Sequence, residues 1–172
     1  IEAAADVSGL SYDTMMQNAG RAVAIRVNQL LAGRPDARVT VLVGPGNNGG
    51  DGLVAGYRVA QESKTQVRFY LLRERSDEDS NFKAVKDAGL FIALSENDHD
   101  FRLLRNLVAS ADLVIDALFG IGVKLPLKSE IAKVLRNTQQ ALDDEQKPVH
   151  LEGELITPSL PVVSTRHVRP YV

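Results

Sequence analysis

The sequence predicts an α/β fold, a three-layer α/β/α sandwich around a mostly parallel sheet, and three observations carry that reading. Short apolar, β-branched runs alternate with segments of helical period. The runs are apolar almost throughout, as strands covered by helices on both faces are. The first of them, Val39-Thr40-Val41-Leu42-Val43, enters the stretch Gly44-Pro45-Gly46-Asn47-Asn48-Gly49-Gly50-Asp51-Gly52 and then a helix-period segment from Leu53 to Ala60. A strand, a glycine turn and a helix in that order make a Rossmann-like, nucleotide-binding unit.

Each element follows from local signals. Ser11 is a good N-cap for a helix whose Met15, Ala19, Ala22, Val23, Val27 and Leu30 recur at helical spacing as a buried face. The small residues Ala19, Gly20 and Ala22 predict close approach to a neighbour, and Gly33-Arg34-Pro35 ends the helix. After the glycine stretch a helix runs to about Glu62, and Thr65–Leu72 reads as the second strand. The polar run Arg73–Ser80 supplies a Ser or Asp cap for a helix near Asn81–Ala88, which Gly89 closes. Phe91–Leu94 is the third strand. A helix from about Asp98 carries Phe101, Leu103, Leu104, Leu107 and Val108. Leu113-Val114-Ile115-Asp116-Ala117-Leu118-Phe119-Gly120 is a fourth strand entering a second glycine turn, and Ser129 caps a helix bearing Ile131, Val134, Leu135 and Leu142. Lys147-Pro148-Val149-His150 opens a fifth strand that Leu151-Glu152-Gly153 breaks, and Pro158, Pro161 and Pro170 make the remainder loop-like. The expectation is one domain over residues 1–172, irregular from about 150. Ile1-Glu2-Ala3-Ala4-Ala5 reads as a helix entered midway, so the chain is expected to continue before Ile1.

Composition removes several functions. The 172 residues carry a net charge of −2, leaving no basic excess to neutralise nucleic acid. Without cysteine there are no disulfides, thiolate metal sites or cysteine nucleophiles. No apolar stretch approaches the roughly 20 residues that span a bilayer, and no basic-then-apolar leader opens the chain, so cytoplasmic residence is the expectation.

The chemistry concentrates in the turns. Five glycines in nine positions predict backbone at positive φ or lying close against a ligand, beside helix N–H groups that suit an anion. Gly44, Gly46 and Gly49 form G-x-G-x-x-G, and Glu74, between Arg73 and Arg75 after the second strand, stands where a ribose-binding acid belongs. A Walker A loop is excluded, because no Gly-Lys-Ser/Thr follows the glycines. Asp51 departs from a phosphate cradle, since a carboxylate there repels phosphate. Its roles are N-capping, or bonding a ligand hydroxyl or supporting a cation, work that Asn47 and Asn48 also suit. Asp116 ends the fourth strand, which flanks the first at the topological switch, so it should share one crevice with Asn47–Asp51. Two acids and two amides make an oxygen-rich pocket for a hard cation; the plainer role for Asp116 is capping a turn. Gly120-Ile121-Gly122-Val123-Lys124-Leu125-Pro126 is a second glycine loop whose Lys124 either meets a pyrophosphate or is a solvated surface lysine. His99, His150 and His167 have no metal-ligand spacing and no triad context.

Gly44–Leu53, with Val114-Ile115-Asp116-Ala117-Leu118-Phe119-Gly120-Ile121-Gly122 and the helix bearing Met15-Met16 and Asn18–Val23, resembles the YjeF N-terminal domain, the NAD(P)H-hydrate (NAD(P)HX) epimerase family. The resemblance spans about Ile1 to Val149. It implies an isomerase that converts the R form of hydrated NADH or NADPH into the S form, for repair by an ATP- or ADP-dependent dehydratase, fused or separate. It implies a substrate-binding loop over Asn47, Asn48, Gly49, Gly50 and Asp51, and a second over Gly120, Ile121, Gly122, Val123, Lys124, Leu125 and Pro126. It further implies a potassium ion (K+) bound by Asn48 and Asp116, and a homo-oligomer. The family's Asp-x-Pro-Ser-Gly element, expected after Lys147-Pro148-Val149, is not in this sequence; Thr157-Pro158-Ser159 echoes it without the Asp or the Gly. That leaves Asp51 as the expected catalytic acid/base. Two alternatives stand beside the enzyme. One is a non-catalytic nucleotide-binding or scaffold module of the same fold, as in an mRNA-decapping factor. The other is an NAD-dependent dehydrogenase, disfavoured by Asp51 and by the lack of a substrate-carrying domain.

Overall fold

The computed structural model describes residues 12–34, 36–120 and 129–145, without the side chains of Tyr12, Asp13, Ser129 and Glu145. In chain order the elements are α1 (Tyr12–Leu30), β1 (Arg38–Val43), α2 (Asn47–Glu62), β2 (Gln66–Leu71), α3 (Ser80–Asp87), β3 (Phe91–Leu94), a 3-10 turn (Ser95–Asn97), α4 (Arg102–Ala109), β4 (Leu113–Ala117) and α5 (Ser129–Glu145). All strand pairs are parallel and the order is β3-β2-β1-β4. The expected fifth strand and the Ser11 cap lie outside the described residues.

The alternation of side chains along the strands builds two cores. Val39, Val41 and Val43 of β1, with Val67, Phe69 and Leu71 of β2, pack against α1, α2 and α3. Leu42, Tyr70, Ala93 and Val114 point the other way, against Leu104, Leu107 and Val108 of α4 and Val134, Ala141 and Leu142 of α5. Helices therefore cover both faces, which is why the strands read as continuous apolar runs. The chain winds outward from β1 through β2 to β3, then returns to set β4 on the other side of β1. That reversal places the carboxyl ends of β1 and β4 side by side, with Leu42 opposite Asp116 and Val43 opposite Ala117.

Two expectations are corrected. In α1 the buried stripe is Gly20, Ala24, Val27 and Leu31, while Ala19 and Ala22 are exposed and Val23 is 38% exposed. Apolar residues occupy most of this helix's circumference, so periodicity does not choose the face. Close approach does, because a Cβ on Gly20 would overlap the Val54 side chain of α2. The helix expected from Asp98 begins instead at Arg102. Asp98 is buried and reaches forward to accept from Leu103 N (3.2 Å) and Leu104 N (2.9 Å), while Phe101 sits at φ 53 in the left-handed region. A remote carboxylate thus satisfies the helix's first donors, a capping that no local motif announces.

Candidate functional site

The glycine stretch is mostly helix. α2 begins at Asn47 with Gly46 as its N-cap, so Gly49, Gly50 and Gly52 occupy the first two turns rather than a loop. None of the glycines from Gly44 to Gly52 has positive φ; among the described glycines only Gly33 and Gly89 do. What requires most of them is packing within the protein. A Cβ on Gly44 would run into the Leu118 carbonyl, one on Gly49 into the Gly44 carbonyl, and one on Gly52 into the Ala117 side chain. Gly56 continues the stripe one turn on, against Phe69. The helix therefore lies directly on the ends of β1 and β4, closer than any side chain allows. Gly46 is the exception: a Cβ there would meet nothing within 4 Å, so this backbone is open to a ligand. The glycine motif's division of labour is kept, with Gly44 for the tight turn, Gly46 for close approach and Gly49 for helix packing.

Helical geometry now assigns sides. Gly49, Gly52 and Gly56 share the face toward the sheet, and Asn47, Asn48 and Asp51, at three- and four-residue spacing, share another. Asp51 lies in the second turn and is half-buried, so the N-capping role considered for it is not its role. Asn48, half-buried, donates from Nδ2 to the carbonyl oxygen of Phe119 at 2.8 Å. Asp116 is exposed and its Oδ1 accepts from the Leu118 amide at 2.9 Å, the plain turn cap that its position allowed. Both residues thus grip the two-residue segment leaving β4, and Gly120 follows with its Cβ position 3.6 Å from Asn48 Cβ. Asn48 has one hydrogen of its amide N–H₂ engaged and Asp116 one carboxylate oxygen, so Asn48 Oδ1 and Asp116 Oδ2 are the oxygens with which these two could meet a hard cation. That donor chemistry fits such an ion. No cluster of three His, Cys, Asp or Glu residues that could hold a metal occurs among the described residues.

Glu74 does not serve the glycine turn. It lines a hollow of about 400 Å³ on the far side of β3, with Phe82, Lys86, Phe91, Leu94 and Leu103. A second hollow of about 240 Å³ lies among α1, α2 and α3 beside Gln17, Tyr57 and Arg58. Neither is lined by Asn48, Asp51 or Asp116. Arg75 is the residue that reaches the turn: its Nη1 donates to the carbonyl oxygens of Gly44 (3.0 Å) and Gly46 (3.2 Å). Its Nε donates to Asp79 Oδ2 at 2.6 Å. Burial pushes the Asp79 carboxyl up, but the Arg75 hydrogen bond, the Phe82 and Asn81 amides and the Arg75 charge outweigh it and hold the group below the ordinary aspartate range. Sequence reasoning weighed only the acid of Arg73-Glu74-Arg75; the available signal was Arg75 paired at i, i+4 with the cap Asp79.

Ile121, Gly122, Val123, Lys124, Leu125 and Pro126, and His150 and His167, lie outside the described residues, while His99 is exposed. No helix among the described residues is long and apolar enough to cross a membrane.

Residues 12–151 match the family model for the YjeF-related protein N-terminus. The chain is 34% identical over 136 residues to the bifunctional NAD(P)H-hydrate repair enzyme Nnr of Thermofilum pendens, a match covering 77% of this chain and 25% of that protein. It is 34% identical over 139 residues to the NAD(P)H-hydrate epimerase of Elusimicrobium minutum, covering 78% and 61%. With the NAD(P)H-hydrate epimerase of Yarrowia lipolytica it shares 35% over 144 residues, covering 78% and 53%. The chain thus spans between a quarter and about three fifths of the length of these relatives. The crystal structure of yeast ynu0, YNL200c, superposes with a TM-score of 0.68 at 20% identity over 78% of this chain and 58% of that one, and shows the shared fold. The glycine-packed helix at the β1/β4 switch and the family match over most of its length agree: the chain belongs to the YjeF N-terminal family.

Proposed function

We propose that this chain is an NAD(P)H-hydrate epimerase domain, interconverting the R and S forms of hydrated NADH or NADPH. The observation that carries the reading is the joint at the switch point, where Asn48 and Asp116 grip adjacent residues of one segment beside the open backbone of Gly46. Relatives named for this activity, at 34% and 35% identity, support it. The N-terminus of α2 and the open side of Gly46 offer N–H groups to the substrate's phosphates. Asn47 and Asn48 offer amide groups to its hydroxyls and carboxamide.

Inverting a carbon that bears a hydroxyl and a ring nitrogen needs loss and return of the hydroxyl, or ring opening. Asp51 is assigned the proton transfer, because it stands on the same helical side as both asparagines. K+ would be held by Asn48 Oδ1 and Asp116 Oδ2. When bound, it supplies positive charge that steadies developing negative charge on the substrate. The second glycine loop, Gly120–Pro126, with Lys124, is assigned to the substrate's pyrophosphate. A cytoplasmic homo-oligomer working with a dehydratase, fused or separate, completes the reading, and the Thermofilum pendens relative is named as a bifunctional repair enzyme.

One observation favours a scaffold instead. The hydrogen bonds of Asn48 and Asp116 are already accounted for by the loop they hold, which a module without ligand would need equally. Incubation with R-NADPHX in potassium buffer, followed by chromatography of the epimers, separates the readings. The enzyme reading expects R-to-S conversion, lost in Asp51→Asn while the folded state persists. An unchanged epimer ratio with folded protein sinks it, and full activity of Asp51→Asn removes Asp51 from the chemistry.

A further inference from the structure

Arg75 connects two elements that the sheet alone does not join. Its side chain is only 15% exposed, and its Nη1 lies between the carbonyl oxygens of Gly44 and Gly46. Two carbonyl dipoles aimed at one point repel each other, so a donor between them stabilises a turn in this shape, and a charged donor does so most strongly. Nε is held in place by Asp79, which is itself fixed as the N-cap of α3, accepting from Asn81 N (3.0 Å) and Phe82 N (3.2 Å). Gly49 leaves the room, for a Cβ there would stand 3.1 Å from Arg75 Nη1. A continuous path thus runs from the start of α3 through Asp79 and Arg75 to the turn that starts α2. The residues immediately after that turn are Asn47 and Asn48.

We propose that Arg75 is the positioning residue of the substrate loop: it sets the Gly44-Pro45-Gly46 turn and thereby aims Asn47 and Asn48, without itself touching substrate. This rests on the epimerase reading for its kinetic consequence, but not for its structural one. A guanidinium is required because it serves the two carbonyls and the Asp79 carboxylate at once, from separate nitrogens in a fixed plane. A lysine supplies a single point of charge and cannot span them.

The test uses Arg75→Lys, Arg75→Ala and Asp79→Asn in the whole chain, with two readouts. In epimerisation of R-NADPHX, Arg75→Lys should lose tenfold or more in kcat/KM, mainly through KM. Arg75→Ala should lose more and recover at least fivefold with tens of millimolar guanidinium ion, and Asp79→Asn should fall between wild type and Arg75→Lys. In amide hydrogen exchange by NMR, Gly50, whose N–H bonds the Gly46 carbonyl at 3.4 Å, should exchange at least tenfold faster in Arg75→Lys, while the Phe69 amide of β2 keeps its wild-type rate. If wild type does not turn over R-NADPHX, the epimerase reading falls and the exchange of Gly50 decides the positioning role alone. Wild-type Gly50 exchange in Arg75→Lys overturns the proposal, and so does a kinetic loss that guanidinium leaves untouched.

Discussion

Asn48 Nδ2 and the carbonyl oxygen of Phe119, 2.8 Å apart, join the first turn of α2 to the segment that leaves β4. The bond makes the start of α2 and that segment one unit across the topological switch. Asn48→Asp keeps the size but removes the donor and faces a carboxylate toward a carbonyl. It should lower the melting temperature by ~2–4 °C, the effect of ~1 kcal/mol in a domain of this size. Epimerisation should fall at least tenfold. Calorimetry with the chromatographic assay checks both, and a stable, fully active Asn48→Asp would show that the two are joined by other means.

The glycines divide into two experimental classes. Gly52→Ala forces a methyl into the Ala117 side chain at the helix–sheet contact, and overpacking of this kind costs ~1–3 kcal/mol. Gly46→Ala meets open space, and its φ of −93 suits any residue. The expectation is a clear drop in denaturation midpoint for the first and almost none for the second. Gly46→Ala should nevertheless raise KM, because the new methyl occupies the approach to the turn. Equal midpoints for the two variants would contradict the packing account.

Asp116 is exposed and its cap is made by one oxygen, so Asp116→Asn can keep the bond to the Leu118 amide through its carbonyl. Stability should change by less than ~0.5 kcal/mol, as at most exposed positions. The reaction should lose its response to potassium when potassium is exchanged for a tetraalkylammonium ion. An Asp116→Asn enzyme that still responds to potassium as wild type does would remove Asp116 from the ion's ligands.

Acid and alkali should act through different residues. Asp79 is held below the ordinary aspartate value of 3.8, so its unfolded form binds a proton more readily than its folded form. Its contribution is fully present above 3.8 and is lost as pH falls through the depressed folded value. The stability gap between wild type and Asp79→Asn should therefore be flat from pH 6 to 8 and close below pH 4. Tyr70 moves oppositely. Burial first, then the nearby Asp98 charge, outweighs a lowering hydrogen bond with Ser95 and pushes its phenol from 10.0 up to about 12. Its contribution is complete below pH 10 and disappears as pH rises toward 12, which Tyr70→Phe should abolish. Urea midpoints across pH check both limbs.

Much of the fold was legible because its signals are local and redundant. The runs Val39–Val43 and Leu113–Ala117 are apolar on both faces, so parallel strands under two helical layers followed directly, and the placement of Asp116 beside the α2 turn with them. What was not legible depends on what stands opposite. A glycine in a sequence announces a missing side chain but not the Leu118 carbonyl, Ala117 methyl or ligand that fills its place. Gly20 likewise sets the phase of α1 through Val54, and the cap from Asp98 to Leu103 and Leu104 bridges five and six residues, beyond any capping motif. Arg75 was hidden by its neighbour, since the ribose motif directs attention to an acid and the chain uses the base beside it.

The glycine stripe of α2 has a mechanical consequence. A helix cushioned by its own leucine or valine side chains can roll or slide by repacking them, but backbone at Gly52 and Gly56, resting on the Ala117 methyl and the Phe69 ring, brings no side chain of its own to deform. Any change in the twist between β1 and β4 is therefore passed to Asn48 and Asp116 undamped, and carries them as a rigid pair. The two side chains can tilt or shift together, but their separation is set by main-chain dimensions rather than by side-chain choice.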